Sequence, residues 1–333
     1  MDPCSQGLLG ACFAASFAKR NNIKIASFCG AFGGLVPDLD IFIESNNDPL
    51  LFIEYHRHFT HSLAFVPIGG ALAAFFLLLL FRKKKSFKLL FFFSTLGLFT
   101  HGLLDSCTSY GTRLLWPFSD LRVSWNIVSI VDPIFTLILL FFLIFCLLYK
   151  SKFIAKFGIF FSSLYLLLGF FKYEKVESFV SNIAEKRGHK IERILLNPTI
   201  GNNILWRSVY KFKDYYYIDA VYMPLFSLAK FKKGKKVTVI DKETIFPELT
   251  DNSTQRNDIR RFSYFSQDYI YLHPDYENLI ADLRYGSLPH DNKSLWGIKI
   301  DTTTDKHVDF KNLRDFEKKD YRNFWEMLKG NLN

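Results

Sequence analysis

The chain has 333 residues, 49% hydrophobic and 17% aromatic with 37 Phe, and a net charge of +10. The apolar residues crowd into long charge-poor runs before about residue 173, which excludes an ordinary soluble protein, since about 18 such residues cross a hydrocarbon core. The five Cys all fall in that half without the spacing of a zinc knuckle or redox motif, so they read as small apolar fillers.

In chain order, two short apolar stretches come first, 7–18 and 22–36. They are followed by longer ones at 60–81, 87–105, 133–149 and 153–171. These predict an α-helical membrane bundle of about six helices, the first two short enough to form a hairpin. Asp2 and the lack of Lys or Arg before the first stretch fit a cleaved signal peptide badly, so the start is expected to be retained. After residue 173 charges are scattered throughout. A helix is expected over 174–190, then a hairpin over 204–222 that turns at Lys211-Phe212-Lys213-Asp214. Further strands are expected at 236–240 and 269–272, and an amphipathic helix at 315–328. The expectation is therefore a membrane domain, 1–173, and a soluble α+β domain with an antiparallel sheet, 174–333. Asp282-Leu283-Arg284-Tyr285-Gly286 reads as a turn pinned by an ion pair, and His189, His273, His290 and His307 as scattered surface or core residues.

The position of the charge decides what it means. Through Glu174 there are 15 Lys and Arg against 10 Asp and Glu, and the remainder holds 27 against 22, so each part carries only +5. In the first part the cations cluster at Lys19, Arg20 and Lys24, at Arg82, Lys83, Lys84, Lys85 and Lys88, and at Lys150, Lys152 and Lys156. Those three loops contain no acid. Loops 37–59 and 106–132 hold only Arg57, Arg113 and Arg122 among their acids. Six helices put the three basic loops on one face, the positive-inside pattern. The lysine-rich face is expected to be cytoplasmic, with loops 37–59 and 106–132 and the domain after 173 outside. Topology thus accounts for the cations, and no nucleic-acid partner is expected.

Four His, at 56, 58, 61 and 101, fall at the external ends of predicted helices, with Asp38, Asp40 and Asp105 nearby. Ionisable groups at membrane depth are costly and tend to be paired and functional. His101 and Asp105 lie one helical turn apart and point to one face, a common way to grip a divalent cation. Thr60 reads as the N-cap of a helix that begins at His61, where Arg57 and the positive helix end would hold an anionic group. Asp38 and Asp40 alternate about Leu39, so one of them points at the cluster. The other would act as a general base or orient a His. His58 is left out of the ligand set. Mixed imidazole and carboxylate donors suit zinc, with an open position for water.

Leu35-Val36-Pro37-Asp38-Leu39-Asp40, His56 to Ser62, His101-Gly102-Leu103-Leu104-Asp105 with Ser106 to Gly111 after it, and Trp116-Pro117-Phe118-Ser119-Asp120 resemble the membrane-bound metal-dependent hydrolases, the YdjM-like, LexA-binding inner-membrane family. The resemblance covers about residues 1–172. It implies a helical membrane protein, a divalent metal, expected to be Zn2+, and hydrolysis of an ester or phosphoester, with a lipid headgroup as one substrate class. Carried over position for position, it implies Asp38, His56, His61, His101 and Asp105 as metal ligands and Asp40 and Arg57 as catalytic groups. Two positions depart from the family, His58 where Gly is usual and Gln6 where some relatives carry His. The rival reading is a non-catalytic anchor that presents the C-terminal domain to a protein partner. A transporter ranks lowest, because it would need acids in mid-helix.

Overall fold

The structure is a computed structural model that describes residues 1–82 and 84–332. Lys83 of the second basic loop lies outside the described residues. The chain divides into two compact units. The first holds Met1–Phe42, Tyr55–Phe171 and Ile200–Asn202; the second holds Ile43–Glu54, Lys172–Thr199 and Asn203–Asn333.

The first unit is helical. Its apolar helices are α1 (Pro3–Ser16) and α2 (Ile23–Leu35) and, after a short α3 (Leu51–Tyr55), α4 (Val66–Leu80), α5 (Phe87–Ser106), α6 (Pro133–Tyr149) and α7 (Lys152–Lys186). Among the described residues, four segments are long and apolar enough to span a bilayer, Arg20–Phe42, Leu63–Leu80, Phe87–Ser106 and Lys152–Lys186, while Pro133–Tyr149 is shorter. The second predicted stretch thus reaches spanning length because 3-10 turns extend α2 at both ends, through Arg20–Asn22 and Val36–Phe42. Large apolar side chains such as Leu72, Phe75, Leu137, Phe141, Phe157 and Phe160 are exposed on these helices. Such a surface is suited to lipid and would be a liability in water.

The helices pack through small residues. Ala14, Ala15, Ala26, Cys29, Ala74 and Cys146 are buried in one cluster with Leu77, Leu90 and Phe93. Four of the five Cys are buried, Cys4 alone being exposed, and all are free thiols. Backbones come close where glycines meet. A Cβ on Gly97 of α5 would lie 2.0 Å from the Gly30 carbonyl oxygen of α2. Close approach through small residues is the usual basis of helix association where no water drives it.

The helix expected from residue 60 starts at Val66, with Pro67 in its first turn, a position where a missing N–H costs nothing. The preceding residues form 3-10 turns, Phe59–His61 and Leu63–Phe65, and Ser62 caps the second by accepting from the Phe65 N–H. Thr60 is therefore not a helix cap. Its hydroxyl donates to Asp40 instead, at 2.9 Å.

The second unit is α+β, as the sequence predicts, with two four-stranded antiparallel meanders. The first runs β1 (Arg193–Pro198), β2 (Leu205–Phe212), β3 (Tyr215–Tyr222) and β4 (Lys230–Thr238). After α8 (Thr254–Phe265) the second runs β5 (Ile270–Leu272), β6 (Leu279–Asp282), β7 (Trp296–Lys299) and β8 (Asp309–Asn312), and α9 (Lys318–Leu328) closes the chain. The predicted hairpin is β2–β3, pairing Leu205 with Tyr222 through to Phe212 with Tyr215. Lys213 takes a positive φ of 54° at its turn. One face of the first sheet packs Trp206, Tyr210 and Val221 on Val176, Val180 and Ala184 of α7. The other packs Val209 and Ile218 on Tyr271 and Leu279 of the second sheet and on Tyr269 just before it. Packing on both faces explains why β2 is buried without alternation from Leu205 through Tyr210, Arg207 and Ser208 included. The helix expected at 174–190 is the last part of α7, which continues from Lys152 without a break. Asp282 and Arg284 form the expected ion pair, at 2.8 Å with both side chains fully buried.

Candidate metal centre

Three segments of the first unit bring carboxylates and imidazoles together. Asp38 lies in the 3-10 turn that ends α2, His61 in the turn before α4, and His101 and Asp105 one turn apart on α5. His61 Nε2 is 3.4 Å from Asp38 Oδ1 and 3.2 Å from Asp105 Oδ2. His101 Nε2 is 3.4 Å and 3.5 Å from the same two oxygens. Bonds of about 2.0–2.1 Å to a tetrahedral zinc put neighbouring donors roughly 3.3–3.4 Å apart, so these four separations are edges of the right length. Two imidazoles in the set argue against calcium or magnesium, which take oxygen donors.

The residues fit an ion for a second reason. His61 Nε2, His101 Nε2 and Asp105 Oδ2 are buried atoms without a hydrogen-bond partner. Unpaired polar atoms at such depth are costly, and three of them aimed at one point are satisfied together by a cation.

The other nitrogen of each ring is fixed. His101 Nδ1 donates to the Gly34 carbonyl at 2.6 Å, since a carbonyl only accepts, and this leaves Nε2 with its lone pair toward the cluster. His61 Nδ1 lies 3.1 Å from Asp40 Oδ2 and 3.0 Å from the Thr60 hydroxyl. A carboxylate behind a ligating His holds the ring and raises its basicity. Asp40 is thus the orienting member of the Asp38/Asp40 pair. Its oxygens also take His56 Nδ1 at 2.8 Å and the Arg57 N–H at 3.0 Å, and it is 2% exposed. A carboxylate so fully engaged is not free to serve as a general base.

His56 does not join the four. The bond to Asp40 holds its ring beside the cluster, and its side chain is 23% exposed, as is that of Asp38. Those two mark the open side, since His61, His101 and Asp105 are sealed. Arg57 is buried. Its Nε lies 3.1 Å from Asp105 Oδ2, its Nη1 donates to the Thr108 hydroxyl at 2.9 Å, and its guanidinium lies over Tyr110. It offsets the acids from within the site and does not reach outward. Its φ of 62° is left-handed, a strained state for an Arg that persists only where the surroundings fix it. His58, next to it, pairs with Arg113 and sits over Trp116.

Sequence reasoning missed the supports. Gln6 donates to Asp105 Oδ1 at 2.9 Å, and the Met1 amino group pairs with the same oxygen. Gly102, beside His101, presses on the His61 carbonyl, which a Cβ would meet at 2.1 Å. Gln6 stands where some relatives of the resembled family carry His, a signal that could have pointed to it.

The family model for the YdjM inner membrane protein matches residues 1–176, the whole region that carries this cluster. The chain belongs to the YdjM inner membrane protein family. It is also similar to the inner membrane protein YbcI of Escherichia coli (strain K12), 32% identical over 107 residues, which is 31% of this chain and 61% of that protein. The chain therefore spans about three-fifths of the length of the curated relative it matches. No solved structure matches. Family and apolar helices together place the chain in the inner membrane.

Proposed function

We propose that Asp38, His61, His101 and Asp105 hold a divalent metal, zinc by its donor set, and that the membrane unit is a hydrolase of an ester or phosphoester at the bilayer surface. The observation that carries this is the convergence with Asp38 Oδ1, at zinc-like separations, of three buried donor atoms that make no well-aligned hydrogen bond. A lipid headgroup is the substrate class favoured by the rim, where Leu39, Ile41 and Phe42 beside the two Asp are 58%, 54% and 74% exposed. The basic loops on the opposite face support an external site.

A divalent ion bound there would polarise the bond under attack and bring the pKa of a water toward neutrality. The chain's own groups do the rest. Gly34 and Asp40 hold the two imidazoles with Nε2 inward. Asp40 also holds His56 by Nδ1, leaving its Nε2 to accept a proton at the open side, one of the two roles that the sequence left open for the second carboxylate. Arg57 holds Asp105 in place as charge moves.

The test is elemental analysis of detergent-purified protein, followed by a panel of phosphoesters and phospholipids assayed with the metal found. The expected result is one divalent ion per chain, lost in His61→Ala, and turnover of a lipid-like ester. Protein without stoichiometric metal, unchanged by His61→Ala, would sink the reading. Metal without turnover in an otherwise competent protein would favour an anchoring role instead.

A further inference from the structure

In the second unit, the loop between β3 and β4 carries an apolar tip beside a basic strand. Leu225, Phe226 and Leu228 are 57%, 98% and 86% exposed. Residues 230–238 then read Lys-Phe-Lys-Lys-Gly-Lys-Lys-Val-Thr, with five Lys and no acid anywhere from Tyr222 to Ile240. β4 is the outer strand of its sheet. Lysines on an edge strand guard against pairing with other chains, which alone would explain the charge. It does not explain a fully exposed Phe at the adjoining tip, since edge protection calls for polar neighbours.

The loop's position supplies the missing link. Met223, its first residue, accepts a hydrogen bond through its carbonyl from Lys172 Nζ at 2.9 Å, and Lys172 also donates to the Asn203 carbonyl at 2.7 Å. Lys172 is the residue at which the apolar run of α7 gives way to Tyr173-Glu174-Lys175. The root of the loop is therefore tied to α7 at the point where that helix passes from apolar to charged sequence. Two of the strand's lysines have neutral partners: Lys230 donates to the Gly330 carbonyl, and Lys236 lies over the Tyr215 ring.

We propose that this loop and strand form a membrane-docking face, with Leu225, Phe226 and Leu228 entering the interfacial layer and the β4 lysines meeting anionic lipid headgroups. Apolar insertion plus basic residues is the pairing that binds an anionic bilayer, each Lys contributing about fivefold in affinity. The face lies outside the metal cluster and does not depend on what that cluster does.

The test uses the full chain in nanodiscs of phosphatidylcholine, with or without phosphatidylglycerol, read by hydrogen exchange at the amides of residues 225–229. None of those amides donates within a helix, strand or turn bond, so only an outside cover slows them. The expected result is roughly tenfold slower exchange with phosphatidylglycerol. That protection should fall about fivefold for each of Lys233→Gln and Lys235→Gln, and vanish in Phe226→Ser/Leu228→Ser, with β2 and β3 amides unchanged. Equal exchange in both lipids and in detergent would overturn the proposal. So would protection in detergent that rises with protein concentration, because the occupant would then be a second copy of the chain. Should the double variant fail to fold, the lipid comparison with the native chain and the two Lys variants still decides.

Discussion

Among the described residues, two groups of His and Asp bring their donor atoms close enough to surround a cation, and they differ in what already lies between them. In the membrane unit, Asp38, His61, His101 and Asp105 leave three buried donor atoms without a hydrogen-bond partner. In the second unit, Asp48, Asp258 and His307 are gathered around Arg261. That guanidinium donates to both oxygens of Asp48 at 3.0 and 2.8 Å, to Glu54 at 2.8 Å and to Asp258 at 2.9 Å. His307 and the Val308 N–H take the other oxygen of Asp258. One guanidinium thus occupies the centre of the second cluster and reaches each of its acids, whereas in the first Arg57 and the Met1 amino group pair with Asp105 and leave Asp38 facing the two imidazoles. Ligand-type residues within reach of one another are a weak sign of a metal site; unsatisfied ones are a strong sign.

Metal content gives the largest contrast. His61→Ala or Asp105→Ala should abolish stoichiometric divalent metal in the purified protein, while Asp48→Ala leaves it at the native value. Metal lost equally from all three would erase the distinction between the clusters. Next is His56→Ala, which separates a ligand from a base. Metal should stay at one per chain, and turnover of the ester found in the panel should fall about 10²- to 10⁴-fold. Loss of the ion in that variant would restore His56 to the ligand set. Asp40→Asn, acting through the two imidazoles it touches, should weaken metal affinity about 10- to 100-fold without preventing binding, as titration against a chelator would read.

The second cluster should respond in stability instead. Arg261→Ala leaves carboxylates without their partner and should lower the unfolding free energy of that unit by about 1–3 kcal/mol in denaturant, with metal content unchanged. The smallest effect is with pH. Burial alone would raise the Asp48 pKa, but hydrogen bonds from Arg261 and the Leu50 N–H outweigh it and bring it below the ordinary value. A carboxylate lowered in this way contributes fully above its unfolded value of about 3.9 and loses that contribution as pH falls through the folded one. The native second unit should therefore weaken on acidification below about pH 4, and more steeply than the Arg261→Ala variant. Identical acid profiles would show that the network is inert.

These contrasts follow the line between what sequence shows and what only packing shows. His101 and Asp105 were legible because a helical turn fixes their common face; the expectation that only one of Asp38 and Asp40 turns inward failed, because the 3-10 turn brings both to His61, one on each ring nitrogen. His56 was not legible as the partner of Asp40. The two are 16 residues apart, and the turns that join them follow no period. Nor could sequence show that residues 43–54 group with the second unit, since Asp48 and Glu54 are held by Arg261 over two hundred residues away. Strands β2, β3 and β5 stood out through aromatic and β-branched residues. Helix α8 did not, because its buried Ile259, Phe262 and Phe265 are interleaved with Gln255, Arg256 and Asp258, which are buried too. Arg256 spends its charge on four carbonyls, those of Lys242, Ile245, Phe246 and Leu249, a use invisible to any hydropathy pattern.

The glycines of α5 bear on which ion the cluster would accept. Gly97 precedes His101 by one turn and Gly102 follows it directly. Each rests its bare backbone against a carbonyl, on α2 and on the His61 turn. The gap between the donor atoms is therefore gauged by backbone against backbone, with no flexible side chain to take up a misfit. A methyl group at either position would have to move a helix, and with it one imidazole relative to the other. Selectivity among ions that differ by a few tenths of an ångström in bond length then becomes an inherited dimension of a helix crossing, open to change by substitutions that touch no ligand.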